Sequence, residues 1–299
     1  MTNTPLSVTI YNRAAAAFIH PSATLEKLAG GFMFTEGPCW HPGGWLLVSD
    51  MPANTVFAIT MKGEKSVFIT ESGLTGGDRR LLSRMVGSNA LAWHPDGSLL
   101  VCRQGNHAIG RMDRQGRLSD WLTEYEGRPF NSPNEIAVRS DGGFYFSDPP
   151  YGLLDETLHP DSFQPAAGIY FCKDGRVTRV STHYRYPNGL CLSADEKYLF
   201  TASNHPSEPR LLRYEVRPDG GLENPLLWMR QNADGIKKDK EGRLYLATTD
   251  GILILGPDAE RIALLPVPGM PTNIAFSEPG GDWLFITAET SVYRIALFK

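Results

Sequence analysis

The sequence predicts an all-β fold, a six-bladed β-propeller with four antiparallel strands in each blade. Three observations support this prediction. A strand–turn–strand unit recurs six times, at intervals of about 40–50 residues, which is typical of propeller blades. Further apolar segments that suit a second strand pair follow these units. Long stretches with helical periodicity are scarce, whereas 30 glycines and 22 prolines are spread along the chain.

Each repeated unit consists of an apolar run, a polar turn rich in Asp and Gly, and a second apolar run. Turns of this composition favour tight hairpins, so each unit predicts two adjacent antiparallel strands. One residue in each turn serves as a marker: Gly44, Gly97, Gly142, Glu196, Gly242 and Gly281. Segments such as 55–60, 168–172 and 251–255 begin the second strand pair of their blades.

The sixth unit is followed by only one further strand, over 291–297. We therefore expect the N-terminal segment 24–29 to supply the missing outer strand of the last blade. This would join the two ends of the ring and cover an exposed sheet edge. The chain 1–299 is then a single propeller domain, and residues 1–23 are an N-terminal extension.

Oxygen-bearing side chains occupy the same phase of all six units. Counting eight residues back from each marker gives Glu36, Asn89, Asn134, Asn188, Asp234 and Asn273. The first strand of a propeller blade lies innermost, so equal phase predicts a ring of oxygen atoms at one mouth of the channel. In the sixth unit, another alignment puts Thr272 in phase instead. The alternative role for any one asparagine is to cap its strand by bonding to local backbone.

The ring combines two carboxylates with carboxamides, and neither His nor Cys shares its phase. Hard oxygen ligands select Ca²⁺, Mg²⁺ or Mn²⁺ over zinc, and carboxylates buried in a channel need a compensating cation. We expect one divalent cation, with Ca²⁺ favoured and Mg²⁺, Mn²⁺ or Zn²⁺ as alternatives. Gly37, Gly189 and Gly235 directly follow three ring residues and permit close backbone approach there.

Composition excludes several other classes of protein. The net charge is -4 with a pI of about 6.0, which disfavours nucleic acid as a partner. No apolar run is long enough for a membrane span, and the N-terminus shows no secretory signal. The four cysteines form no CxxC pair, so we expect buried free thiols and a cytoplasmic location. No GxSxG motif supports a serine hydrolase.

Several motifs around the ring resemble a known family: Glu36-Gly-Pro, Ser132-Pro-Asn-Glu, Ser147-Asp-Pro-Pro-Tyr-Gly, Tyr186-Pro-Asn-Gly, Ala233-Asp-Gly and Pro271-Thr-Asn. The chain resembles the regucalcin/gluconolactonase family of six-bladed propellers, over about residues 32–295. The resemblance implies that a metal ion is held by Glu36, Asn188 and Asp234. It further implies that Asp234 serves as the catalytic acid/base and that Asn134 lies near the substrate.

One departure from the family pattern affects the expected substrate contacts. Family members carry an Arg two residues before the substrate Asn, where this chain has Ser132. We therefore consider Arg128 and Asn131 as candidate substrate-binding residues on that side. Asp148 is a candidate for a second metal site, although such an Asp more often caps a turn before proline. The long segment 149–167 is a candidate lid over the site, with a plain surface excursion as the alternative.

The resemblance implies hydrolysis of a sugar lactone, a small-molecule substrate, by a monomer or homodimer. Polarisation of the lactone carbonyl by the metal would combine with attack of a water activated by Asp234. The family also includes lactonases acting on other rings and relatives that cleave phosphotriesters. A calcium-binding propeller without catalysis is the third hypothesis, which the buried carboxylates of the ring disfavour.

Overall fold

The computed structural model describes residues 3–20, 22–76, 79–277 and 281–297. Six of its antiparallel sheets, one for each repeated unit, are arranged as a six-bladed β-propeller. The predicted architecture is therefore confirmed, with four strands in every blade. Residues 1, 2 and 21 of the predicted N-terminal extension lie outside the described residues.

In the first three blades, each sheet follows chain order from the channel to the outer edge. The strands of blade 1 are Thr35–His41, Trp45–Asp50, Thr55–Ile59 and Lys65–Thr70. The strands of blade 2 are Ser88–Trp93, Leu99–Arg103, Ala108–Met112 and Leu118–Leu122. The strands of blade 3 are Ile136–Val138, Phe144–Asp148, Gly168–Lys173 and Arg176–Ser181.

The next two blades repeat this order. The strands of blade 4 are Leu190–Leu192, Tyr198–Ala202, Leu211–Val216 and Leu222–Met229. The strands of blade 5 are Ile236–Lys238, Leu244–Thr248, Gly251–Leu255 and Arg261–Leu265.

Blade 6 combines both ends of the chain. Its three inner strands are Pro271–Phe276, Trp283–Ala288 and Ser291–Ala296. The N-terminal strand Thr24–Gly30 pairs antiparallel with the third of these, as predicted. The outer edge of the C-terminal strand Ser291–Ala296 is therefore paired with the N-terminal strand. This pairing closes the ring and covers an edge that would otherwise be exposed.

The N-terminal extension also adds short strands that the sequence did not predict. Asn3–Pro5 pairs outside the N-terminal strand of blade 6, and Thr9–Ile10 pairs with the outer strand of blade 5. The 3₁₀ helix Arg13–Ala17 follows, and Ala15 and Phe18 are buried against the core shared by blades 5 and 6. The extension thus bridges two neighbouring blades.

One short element lies between blades 2 and 3, and another lies between the second and third strands of blade 3. Strands Glu124–Tyr125 and Arg128–Pro129 form a small hairpin, and a 3₁₀ helix covers Leu154–Glu156. Among the described residues, no helix has the length and apolar character needed to cross a bilayer.

The core lies between neighbouring blades, where apolar faces of two twisted sheets pack together. Between blades 2 and 3, for example, the blade 3 pair Phe146 and Tyr170, with ring centroids 5.1 Å apart, belongs to one apolar cluster with Leu100 and Ile109 of blade 2. Phe130, from the connection between these blades, meets both rings edge-on. The four cysteines are buried free thiols, as predicted. Tight packing of each blade against the next fixes where the innermost strands begin, and thereby the positions of the ring side chains.

Candidate metal and substrate site

A cleft of about 290 Å³ opens at the mouth of the channel where the innermost strands begin. The structure brings five of the six predicted ring residues to its wall: Glu36, Asn89, Asn134, Asn188 and Asp234. All five are at most 9% exposed, so they form the floor of the cleft and not its rim. Because their blades differ, the cleft depends on closure of the whole ring.

The sixth predicted ring residue, Asn273, lies below the cleft. In blade 6, Phe276 pairs with Leu284, whereas in blade 3 Val138 pairs with Phe144. The blade 6 connection is therefore longer, and counting eight residues back from its turn stops one residue short of the ring phase. The strand register places Thr272 in the ring phase, in agreement with the second alignment.

The glycine that follows a ring residue allows neighbouring strands to approach. A Cβ atom on Gly37, which has a φ of +50°, would lie 2.0 Å from the carbonyl oxygen of Asn89. A Cβ on Gly189 would lie 2.3 Å from the carbonyl oxygen of Asp234. Any side chain at these two positions would push adjacent ring residues apart.

Glu36 and Asp234 place two buried carboxylates in one cleft. Burial, followed by repulsion from the carboxylate of Asp234, raises the pKa of Glu36 well above its usual range. Burial raises the pKa of Asp234 to about 7, against the opposing effect of hydrogen bonds from the side chains of Asn204 and Asn188. A nearby positive charge would relieve the cost of ionising both groups.

The residues at the cleft floor fit a hard divalent cation. Among the described residues, no hydrogen-bond donor reaches the buried Oδ1 atoms of Asn188 and Asn89. A buried carbonyl oxygen without a donor is costly, and a cation satisfies it as a ligand. The described residues contain no group of three His, Cys, Asp or Glu side chains placed to hold a metal ion. The oxygen atoms that line the floor come from two carboxylates and from amides, a set that suits Ca²⁺ better than zinc.

The two substrate-binding candidates that replaced the family arginine do not line the cleft. Arg128 is exposed, and its guanidinium donates to the carbonyl oxygen of Pro160. Asn131 is buried outside the cleft, and its Nδ2 donates to the carbonyl oxygen of Ala166. Both side chains contact the segment 149–167 in this structure, and their role in substrate binding stays a prediction.

Other side chains occupy the cleft that motif spacing did not identify. Tyr151 donates through its hydroxyl to Oδ1 of Asn204, whose Nδ2 donates to Oδ2 of Asp234 at 2.9 Å. Gln104 contributes a buried amide, and among the described residues neither of its side-chain polar atoms has a partner. These residues lie in loops after the second strands, where no strand periodicity marks them. The only signal in the sequence was that these residues are polar and follow soon after a second strand.

Part of the cleft wall is apolar. It is formed by Phe34, Met51, Met85 and Met270. Two other lining residues, His205 and Tyr151, each stack on the ring of Tyr186, with ring centroids 4.1 Å and 5.8 Å apart. The cleft therefore has aromatic rings and flexible thioethers beside its polar floor.

The segment 149–167 contributes directly to the cleft through Tyr151 and Glu156. It also contacts the connection between blades 1 and 2, where Leu82 forms a β-bridge with Leu153. The side chain of Phe163 packs on His107, with ring centroids 4.2 Å apart. The segment is thus a fixed part of the wall in this structure, and its predicted role as a lid stays a prediction.

Asp148 uses both carboxylate oxygens on backbone donors. Oδ2 accepts from the N–H of Asn131 at 2.9 Å and Oδ1 from the N–H of Ser132 at 2.8 Å. The residue is fully buried and does not line the cleft. This arrangement matches the turn-capping alternative, and we do not propose a second metal there.

An ion pair between a buried carboxylate and a partly exposed lysine lies in the channel below the ring. Nζ of Lys237 is 3.1 Å from Oε2 of Glu135, and Nδ2 of Asn273 donates to the same oxygen at 3.0 Å. Asn273 also donates to Oε2 of Glu36 at 3.2 Å. The lysine is thereby connected to a cleft carboxylate through two side chains.

The sequence of this chain is similar to a known protein family and to a curated relative. Residues 34–290 match the family described as the SMP-30/Gluconolactonase/LRE-like region. The chain is 31% identical to a gluconolactonase of Zymomonas mobilis subsp. mobilis over 305 aligned positions, covering 96% of this chain and 85% of that protein.

Solved structures share the same architecture. A gluconolactonase from Xanthomonas campestris superposes with a TM-score of 0.85 at 24% identity, covering 99% of this chain and 98% of that one. A calcium-binding regucalcin from Agrobacterium tumefaciens superposes with a TM-score of 0.68 at 20% identity, covering 90% and 95%. These findings confirm the resemblance inferred from the ring motifs, and the chain belongs to the SMP-30/gluconolactonase/LRE-like family.

Proposed function

We propose that this chain is a metal-dependent lactonase that opens a sugar lactone in the cleft above the channel. Its family supports a lactone hydrolase as the general class of enzyme. The observation that supports metal dependence is the pair of buried carboxylates, Glu36 and Asp234, beside the amide oxygen of Asn188 that lacks a donor within the described chain.

Glu36, Asn188 and Asp234 would hold the cation. When bound, a divalent cation polarises a carbonyl oxygen, stabilises the negative charge that develops on it and lowers the pKa of water. Ca²⁺ suits this set of neutral and charged oxygen ligands best, and Mg²⁺, Mn²⁺ and Zn²⁺ are the alternatives to test.

Asp234 is the proposed acid/base. Its carboxylate accepts the proton of the attacking water and returns it to the alkoxide that leaves the opened ring. The 2.9 Å hydrogen bond from Asn204 fixes the orientation of this carboxylate. Asn134, on the cleft floor, would hydrogen-bond to a substrate hydroxyl or to the ester oxygen.

The polar part of the cleft supports a hydroxylated substrate. Within the described chain, the buried amide of Gln104 has a free donor and a free acceptor, and Oδ1 of Asn89 is a further free acceptor. A ligand rich in hydroxyl groups supplies partners for all three atoms, whereas an apolar ligand leaves them unsatisfied. This favours an aldonolactone as the substrate class.

The apolar wall favours a second candidate within the same chemistry. Phe34, Met51, Met85 and Met270 could contact the apolar groups of a non-sugar lactone, another ester or a phosphotriester. A calcium-binding propeller without catalysis is the remaining alternative. A cytoplasmic location and a monomeric or homodimeric state remain predictions.

One panel of substrates separates these functions. Purified protein is assayed with D-glucono-δ-lactone, a pentonolactone, an alkyl-substituted lactone and an aryl phosphotriester, each with Ca²⁺ and after exhaustive chelation. We expect the aldonolactones to give the highest kcat/KM and chelation to remove the activity. Preference for the alkyl lactone or phosphotriester would support the second candidate. Turnover that persists after chelation would contradict metal dependence, and Ca²⁺ binding without hydrolysis of any substrate would support the non-catalytic alternative.

A further inference from the structure

Three buried or nearly buried carboxylates each hold two consecutive backbone N–H groups near the cleft. Asp50 accepts from Met33 at 3.0 Å and from Phe34 at 3.1 Å. Glu208 accepts from Arg185 at 3.0 Å and from Tyr186 at 2.9 Å. Asp148 makes the third such pair, described above.

The three acceptor sites have the same position relative to the ring. In each case, the second N–H belongs to the residue two places before a ring residue. Phe34 precedes Glu36, Ser132 precedes Asn134, and Tyr186 precedes Asn188 in this way. We call these three approach segments 33–36, 131–134 and 185–188.

The carboxylates come from different places in their blades. Asp50 and Asp148 end the second strands of blades 1 and 3, whereas Glu208 lies in the loop after the second strand of blade 4. A simple copy of one repeat would put the same residue at the same place. Here an Asp in two blades and a Glu in a third accept from the equivalent pair of backbone N–H groups, although they start from different places in their blades. This indicates that these N–H groups need a fixed acceptor.

We propose that Asp50, Asp148 and Glu208 are positioning residues that fix the approach segments of Glu36, Asn134 and Asn188. This inference rests on the proposed metal-dependent function. Asp50 and Asp148 act where water cannot replace them, since they are 3% and 0% exposed. With two adjacent N–H groups anchored to one rigid carboxylate, the segment cannot shift along its strand, and the ring side chain keeps its place.

Asp234, the third proposed metal ligand, is positioned in a different way. Its carboxylate is held directly by the side chain of Asn204. In the preceding segment, Asn232 uses its own Nδ2 to donate to the carbonyl oxygen of His205 at 2.6 Å. Carboxylates that accept from backbone N–H groups therefore position two of the three proposed metal ligands, Glu36 and Asn188, and also the proposed substrate-binding residue Asn134.

This division predicts different effects for three amide substitutions. In Asp50→Asn and Glu208→Gln, an amide NH₂ replaces one acceptor oxygen and faces a backbone N–H. The approach segment then moves, and with it the proposed metal ligand, which is Glu36 in the first variant and Asn188 in the second. We expect the Kd for Ca²⁺ to rise about tenfold or more in both variants. In Asp148→Asn the Kd for Ca²⁺ should stay within about twofold, while KM for D-glucono-δ-lactone rises about tenfold.

Asp239→Asn is the matched control. Oδ1 of Asp239 accepts from the N–H groups of Glu241 and Arg243, both at 3.0 Å, and the residue is 6% exposed. It lies in the first hairpin connection of blade 5, at the end of the blade away from the cleft. This substitution should lower the melting temperature without changing the Kd for Ca²⁺ or KM.

Calorimetric Ca²⁺ titration, steady-state kinetics and hydrogen–deuterium exchange together decide the outcome. Exchange should accelerate only in the approach segment whose carboxylate was changed. Glu208→Gln keeps the test informative if a fully buried variant does not fold, because the Glu208 side chain is 12% exposed. Equal Ca²⁺ affinity in wild type, Asp50→Asn and Glu208→Gln would overturn the inference, as would exchange that accelerates throughout the propeller. Absence of Ca²⁺ binding in wild type would instead overturn the proposed function, and exchange in the approach segments would still decide the positioning role.

Discussion

Nδ2 of Asn204 donates a 2.9 Å hydrogen bond to Oδ2 of Asp234. The amide oxygen of Asn204 accepts from the hydroxyl of Tyr151. Both ends of the amide are therefore engaged, and its orientation is fixed. Through it, a tyrosine in the long segment 149–167 is linked to the carboxylate proposed as the acid/base.

Asn204→Ala should lower kcat for D-glucono-δ-lactone about 10–100-fold, with a smaller change in KM. The reason is that the Asp234 carboxylate loses the donor that sets its orientation, while the cleft floor keeps its shape. Tyr151→Phe, which retains the aromatic ring but leaves Asn204 free to rotate, should have an intermediate effect. An unchanged kcat in Asn204→Ala would rule out this orienting role.

Asp234→Asn should reduce hydrolysis about 10²–10⁴-fold, since an amide cannot accept the proton of the attacking water. Ca²⁺ affinity should fall as well, because one charged ligand is lost. Rates are measured at saturating Ca²⁺ to separate the two effects. Asp113→Asn, in a hairpin turn of blade 2, is the control and should behave as wild type. Retained turnover in Asp234→Asn would refute the mechanism.

Lys237→Met should destabilise the protein by about 1–3 kcal/mol, because the buried carboxylate of Glu135 would lose its counter-ion while it keeps the hydrogen bond from Asn273. Burial opposes the charged form of Lys237, but the pKa of the lysine is raised, with the Glu135 carboxylate as the strongest of the groups that favour its charged form. Denaturant unfolding measures the loss. The double variant Lys237→Met/Glu135→Gln should recover part of it, and a double variant no more stable than Lys237→Met would argue against pairing as the cause.

Protons and the cation should compete for the cleft carboxylates. Burial raises the pKa of Asp234 to about 7, and burial with repulsion from Asp234 raises the pKa of Glu36. Between about pH 4 and 7 the folded, metal-free protein therefore binds protons more tightly than the unfolded chain does. Its free energy of unfolding should fall as pH rises through this window.

Ca²⁺ must displace the same protons, so its affinity should increase with pH up to about 7, by about tenfold per pH unit for each proton displaced. Calorimetric titrations at pH 5.5, 7 and 8 measure this slope. Repeating them in buffers of different ionisation enthalpy counts the protons released. Affinity that does not change between pH 5.5 and 7 would show that these carboxyls do not bind the ion.

The fold could be predicted because its signals are local. Each hairpin is encoded by a polar turn between apolar runs, and equal phase in successive units brought Glu36, Asn188 and Asp234 to one cleft. Phase counting failed at Asn273 because the blade 6 connection is longer. A repeat predicts positions reliably only where the spacing between strand and turn is kept.

The remainder of the site depends on contacts between distant segments. Lys237 and Glu135 are 102 residues apart in the chain, and neither occupies the ring phase. Tyr151 and Asn204 lie in loops, whose paths follow no period that a sequence pattern could show. For the same reason Arg128 and Asn131, close to the motif in sequence, point to the covering segment instead of the cleft.

The N-terminal segment should be essential for cooperative folding. The strand Thr24–Gly30 completes blade 6, and it buries Leu25 and Leu28, while Phe18 packs nearby in the same region of the protein. Burial of each large apolar side chain contributes about 1.5–3 kcal/mol, so the loss of three approaches the total stability of about 5–15 kcal/mol typical of a domain. Deleting residues 1–30 should therefore replace the single thermal transition by a broad one and expose an unpaired sheet edge. Deleting only residues 1–8 keeps this strand and the 3₁₀ helix, and this control should still melt in one sharp transition. If the longer deletion melted like the full chain, the ring would close without its N-terminal strand, and the pairing with Ser291–Ala296 would not contribute to stability.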